Sequence, residues 1–178
     1  MAKTATKKLV LAGLFLALGL VLPFLTGQVP ALGNRLLPMH IPVLLCGFVC
    51  GWPYGLAVGF ITPLFRSLLF GMPPLFPMAA AMAFELAAYG GATGILYRIF
   101  PKRPGYVYGT LLLAMLGGRI VWGGASLFLL GLAGAPFTWQ LFLAGAFLNA
   151  LPGIAIQLLL IPVLVLALQK VPGGKGLL

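Results

Sequence analysis

The chain has 178 residues, a formal net charge of +10, 62% hydrophobic residues and only 7% charged ones, with a single acidic side chain. Such a composition cannot supply the polar surface of a soluble domain and marks a helical protein that passes several times through a membrane. At about 20 residues per crossing plus short turns the length allows about six crossings, so residues 1–178 are expected to form one integral membrane domain.

The positions of the cations give an orientation. Lys3, Lys7 and Lys8 precede the first apolar run, Arg98, Lys102 and Arg103 share one connection, and Lys170 and Lys175 close the chain. With six crossings these eight of the eleven basic residues all face one side, which the positive-inside rule makes the cytoplasm. Basicity therefore reports topology and does not call for a nucleic-acid partner. The predicted fold is all-α: a six-transmembrane-helix bundle in the lipid bilayer with both termini cytoplasmic.

The first helix is predicted over about residues 8–25. It starts basic like a signal peptide, but no convincing small-residue cleavage site follows, so a retained helix is expected. Gly13 and Ala17 lie four apart on it, in a stripe of small residues that admits a neighbouring helix closely, inside the bundle or outside it. A polar, proline-broken outer loop follows over about 26–39, carrying Asn34 and Arg35. Its length in a tightly turned chain suggests a lid over an outward-facing pocket. The second helix, about 40–51, is short and opens His40-Ile-Pro42, with proline suited to a first turn. His40 at that outer start is either a ligand contact or a side chain that satisfies nearby backbone. Cys46 and Cys50, four apart on the same helix, are too widely and rigidly spaced for a disulfide and read as small apolar filler, with no metal-ligand grouping around them.

The third helix, about 55–70, contains Pro63 and Arg66. Counting along it puts Arg66 about 18 Å from the inner end, where it either snorkels outward or faces a cavity at a break made by Pro63. The fourth helix spans about 75–98 and holds Glu85, the only acid of the chain. A carboxylate at membrane depth is costly, so one kept there marks a functional site or, alternatively, a structural ion pair between helices. Tyr89 lies one turn deeper on the same face. The fifth helix, about 107–130, has two glycine pairs flanking Arg119 and Trp122, a backbone open to close approach beside a guanidinium fork. The last helix, about 138–169, carries Asn149 and, two turns deeper, Gln157, with Pro152 and Pro162 freeing backbone carbonyls nearby.

Depth counting places Arg66, Glu85, Tyr89, Arg119, Trp122 and Asn149, from four of the helices, in one band near or just outside the midplane. Convergence of a few polar groups in an apolar surround is what a small-molecule site requires. Two arginines against one glutamate suggest a ligand that brings a carboxylate or is zwitterionic, unless one arginine pairs fully with Glu85. Enzymatic readings find no support. One histidine, one acid and two apolar cysteines leave no nucleophile with a base and an orienting group, and no glycine-rich Lys-Ser/Thr loop holds a nucleotide. No cofactor or metal is expected.

Six apolar runs, cytoplasmic ends, a small-residue first helix, a long first outer loop and the run PMHIPVLLCGFVCGWPYGLAVGF over residues 38–60 resemble the substrate-binding S component of energy-coupling factor (ECF) transporters for vitamins. The resemblance covers nearly the full chain, on degenerate motifs. Gly13 and Ala17 stand where many members have alanine at both positions, which keeps the size while loosening the match. It implies a six-helix fold and a high-affinity outward pocket capped by the first and third outer loops. It also implies a membrane T component docking at Gly13 and Ala17, two ATPase subunits, and a bacterial plasma membrane. A stand-alone secondary carrier, and a membrane assembly subunit that binds no small molecule, are the alternatives.

Overall fold

The computed structural model describes residues 2–26, Gly33 and 35–170. Helices account for nearly all of them: α1 (Ala2–Val21), α2 (His40–Cys50), α3 (Trp52–Phe70), α4 (Ala80–Ile99), α5 (Pro104–Leu132), α6 (Trp139–Leu143) and α7 (Leu151–Lys170). Among the described residues there is no strand. Five helical stretches are long and apolar enough to cross a membrane, namely Ala5–Leu25, Trp52–Phe70, Leu75–Ile99, Pro104–Leu132 and Trp139–Lys170. The protein is thus a multi-pass helical membrane protein. Helix α2 is shorter, with 11 residues, and all but Ile41 are buried, so it forms the centre of the bundle.

Several boundaries depart from the sequence expectation, each for a local reason. Helix α1 begins at Ala2, six residues before the expected start, and ends in a 3-10 turn over Leu22–Thr26 that contains Pro23. Helices α2 and α3 are joined by Gly51 alone, whose φ of 90° lets its N–H close back on the Gly47 carbonyl at 3.2 Å. Pro53 then sits in the first turn of α3, where a missing N–H costs nothing. Pro63, expected to break the third helix, lies inside an uninterrupted α3.

The last element is not one long helix. A π-turn over Ala144–Leu148 separates α6 from α7, with the Asn149 N–H reaching five residues back to the Ala144 carbonyl at 2.9 Å. Pro152 explains the break, because it has no N–H to give Leu148 and its ring crowds that carbonyl. A second π-turn, Leu75–Ala79, leads into α4, with extended backbone at Phe76 before Pro77.

Glycines set the closest contacts. A Cβ at Gly90 would collide with the Gly55 backbone, one at Gly59 with the Leu86 carbonyl, one at Gly94 with the Trp52 backbone, and one at Gly47 with the Gly90 carbonyl. Gly55-x3-Gly59 on α3 and Gly90-x3-Gly94 on α4 therefore form one seam along which the two backbones touch, with α2 against its lower part. Since lipid is as apolar as a leucine side chain, close van der Waals approach of this kind holds membrane helices together. The seam fixes one face of α4 and turns the adjacent face, with Glu85, towards α2 and α5.

Contacts also show how the helices alternate. Lys8 of α1, Cys50 of α2, Trp52 of α3 and Arg98 of α4 line one cavity, and the Gln169 amide of α7 donates to the Tyr97 hydroxyl of α4 at 2.6 Å. The start of α1 and the end of α7 thus lie at the same end of the bundle. At the opposite end Arg66 of α3 donates to the Leu20 carbonyl of α1, and the Phe24 and Phe70 rings meet edge to face at 5.0 Å.

Candidate functional site

Glu85 is the hub. Its carboxylate is 2% exposed, and Oε1 accepts a hydrogen bond from Arg119 Nη1 at 2.7 Å. His40 Nε2 stands 3.6 Å from the same oxygen, and the His40 ring packs edge-on against Tyr89 with centroids 5.2 Å apart. All four side chains are buried. Each has a clear local origin. Glu85 and Tyr89 are one turn apart on α4, beside the glycine seam. His40 is the first residue of α2, reached through a turn in which Leu37 takes a φ of 50° and the His40 N–H bonds the Leu37 carbonyl at 3.1 Å. Gly118 lets the Tyr89 ring lie directly on α5, where a Cβ would stand 2.7 Å from Cδ1. Arg119 is the next residue. Counting from Ile99 and from Pro104 puts Glu85 and Arg119 about 20 Å from the end where the chain starts.

Electrostatically the cluster is balanced in formal charge and unbalanced in hydrogen bonds. Arg119 and Glu85 cancel, and their contact uses one of the guanidinium's five N–H groups. Among the described residues, Arg119 Nε and Nη2, both His40 nitrogens and the Tyr89 hydroxyl make no hydrogen bond of good geometry, although the Glu85 carboxylate lies close to His40 and Tyr89. Buried polar atoms in folded proteins almost always make one, so a concentration of spare donors and acceptors makes this cluster the candidate site.

The other residues singled out by sequence are elsewhere. Arg66 is buried, but it turns to the end of α1 and lies over the Phe24 and Phe70 rings at 4.9 and 5.4 Å, so it is no member of the Glu85 cluster. The surplus cation inferred from depth counting is therefore not beside Glu85. Asn149 is exposed on the widened turn before α7, and Arg35 is exposed as well. Trp122 stacks in an aromatic cluster with Phe142, Phe137 packing on both. Asn34 and most of the expected outer loop lie outside the described residues. Gly13 and Ala17 are exposed on α1, and none of the described residues comes within 4 Å of a Cβ at Gly13.

One residue noted in the sequence but left out of the expected site is Gln157. It is 0% exposed, with neither amide atom partnered among the described residues, in α7, which packs on α2 and α5, the helices of His40 and Arg119. One turn earlier, Gly153 admits the Arg35 carbonyl, where a Cβ would stand 2.7 Å from it, so the last part of the loop crosses α7 just above Gln157. The signal was a lone amide one turn from a glycine in an otherwise apolar helix.

Among the described residues no group of His, Cys, Asp and Glu is arranged to hold a metal ion. Comparison with curated proteins and with solved structures gives no match. The model of one family, the substrate-specific component of ECF transporters, matches residues 7–165, nearly the whole chain, and the chain belongs to that family.

Proposed function

We propose that the protein is the high-affinity substrate-binding subunit of an ECF-type importer for a vitamin or related micronutrient, held in a bacterial plasma membrane and driven by a T component and two ATPase subunits. The observation that carries this reading is the buried cluster of His40, Glu85, Tyr89 and Arg119, with several polar atoms that have no hydrogen-bond partner among the described residues. The cluster has no net formal charge and several spare donors, which favours a neutral polar ligand rich in acceptors, such as a heterocycle with carbonyl oxygens or ring nitrogens. Gln157 offers both a donor and an acceptor from the neighbouring helix. The common end of α1 and α7, together with the cations there, supports cytoplasmic termini and an outward-facing site.

Purifying the chain from its membrane and identifying the co-purified small molecule by mass spectrometry tests the proposal. A retained heterocyclic micronutrient that leaves on Arg119→Ala substitution supports it. Uptake into vesicles by the chain alone would instead establish a self-sufficient carrier, and no retained small molecule under any condition would leave an assembly subunit.

A further inference from the structure

Between Leu151 and Leu168, helix α7 carries a single polar side chain, Gln157. Gly153, Gln157, Ile161 and Val165 are buried at four-residue steps, so Gln157 belongs to the inner stripe of the helix and not to a side that meets lipid. A carboxamide kept in such surroundings is costly, because its two donors and its acceptor oxygen have given up water. Among the described residues neither amide atom has a hydrogen-bond partner.

Two contacts fix its depth. At the inner end the Gln169 amide donates to the Tyr97 hydroxyl at 2.6 Å, which sets the register of α7 against α4. Both helices run towards that end, and Gln157 and Glu85 each stand twelve residues, about 18 Å, before their member of the pair. They are therefore level. At the outer end a Cβ at Gly153 would stand 2.7 Å from the Arg35 carbonyl and 2.9 Å from that of Leu36, and the turn that follows closes from the His40 N–H onto the Leu37 carbonyl at 3.1 Å. Gln157 thus lies one turn below the segment that delivers His40, on a helix packed against those of His40 and Arg119.

We infer that Gln157 selects the molecule held at the Glu85 cluster, by pairing with an edge that presents a donor beside an acceptor, as a lactam or an amino group next to a ring nitrogen does. The inference rests on the proposed function and adds the chemical group that is read. A carboxamide offers an N–H and a carbonyl oxygen side by side, so it meets such an edge in two hydrogen bonds, the geometry with which glutamine reads adenine. Arg119 supplies donors only and Glu85 acceptors only, so neither can match both halves of that edge. Selectivity then falls to the amide, because a site built to bond a polar group strongly rejects an analogue that lacks it.

The test uses the full chain in detergent. Its probes are the molecule that co-purifies with the parent, identified by mass spectrometry, and the same molecule methylated on the nitrogen of the paired edge. A donor–acceptor edge is expected in the retained molecule, and a retained molecule without one overturns the inference while the proposed function stands. The parent should prefer the unmethylated probe by on the order of tenfold or more, whereas Gln157→Leu should bind the two alike, having lost about tenfold or more for the first. Stripped of the probe, Gln157→Leu should melt about 2–4 °C above the parent, since it removes a buried amide that has nothing to bond. Gln157→Met, unbranched and close in size, is measured beside it and should behave the same way. Lower melting temperatures in both stripped variants would show an amide bonded within the chain, which overturns the inference. So does unchanged affinity in both variants when Arg119→Ala releases the probe, an outcome that leaves the proposed function intact. A parent that retains no molecule overturns the proposed function and this inference with it.

Discussion

Helices α1 and α4 are each 20 residues long and apolar, yet they hold opposite places in the molecule. In the span Leu75–Ile99 that includes α4, 61% of the most apolar window is buried, whereas in Ala5–Leu25 the figure is 22%. Hydrophobicity cannot account for this, because a membrane offers apolar surroundings to both. What α4 has is a glycine seam on one face and polar groups on the next, Glu85, Tyr89, Thr93 and Tyr97 at four-residue steps. What α1 presents outward is Leu9, Val10, Leu14 and the small pair Gly13 and Ala17. In this bundle the inner helix is marked by what lipid cannot satisfy and by what lets backbones touch.

The largest expected effect comes from filling the seam. At Gly90 a side chain would meet the Gly55 backbone, which has no rotamer to yield, so Gly90→Leu should exceed the usual overpacking cost of about 1–3 kcal/mol. The outcome is loss of the monodisperse species in size-exclusion chromatography. An intact, ligand-binding Gly90→Leu protein would mean that α3 and α4 do not meet there.

Next comes the buried pair. Glu85→Gln leaves the Arg119 guanidinium buried without its acid, and removing one partner of such a pair costs about 3–5 kcal/mol in stability. Ligand affinity should fall by well over tenfold, since a desolvated charged contact carries about 2–5 kcal/mol. The double variant Glu85→Gln/Arg119→Met removes both charges, so thermal stability should largely return while binding does not. Recovery of binding in the double variant would show that the pair is structural and that the ligand sits elsewhere.

These two helices also show how far the sequence could be read. Glu85 stands out because an acid at membrane depth needs a reason, and pairing with either arginine is the alternative to a ligand contact. Arg66 and Arg119 lie at similar counted depths, but depth along a helix says nothing of azimuth, and a helix apolar all round has no hydrophobic period from which to read it. Arg66 turned out to face α1 and Arg119 to face Glu85. The same holds for Asn149, which counted depth sets level with Glu85 but which is exposed on the wide turn before Pro152. The glycine seam was legible in principle from Gly55-x3-Gly59 and Gly90-x3-Gly94 in consecutive helices. With 25 glycines in the chain, spacing alone does not say which pairs meet.

A smaller effect tests the Arg66 placement. Arg66→Gln loses the bond to the Leu20 carbonyl and the contacts with Phe24 and Phe70, worth about 1–2 kcal/mol together. Thermal stability should drop accordingly, with ligand affinity within about twofold of the parent, the spread that leaves binding free energy nearly unchanged. A tenfold loss of affinity at unchanged stability would return Arg66 to the ligand site.

The smallest effect on the chain itself is expected on the exposed face of α1. Gly13 and Ala17 touch little within the bundle, so Gly13→Leu with Ala17→Leu should shift stability by no more than about 0.5 kcal/mol, as for other surface positions. Ligand affinity should be unchanged, because neither position meets His40, Glu85, Tyr89 or Arg119. If a T component docks on this stripe, the added bulk blocks the close helix approach that membrane association relies on. Co-purification of the partner and ATP-dependent uptake then fail in a protein that is otherwise intact. Unimpaired uptake by the double variant would move the docking surface off α1, and loss of ligand binding would show that α1 packs inward more closely than its exposure indicates.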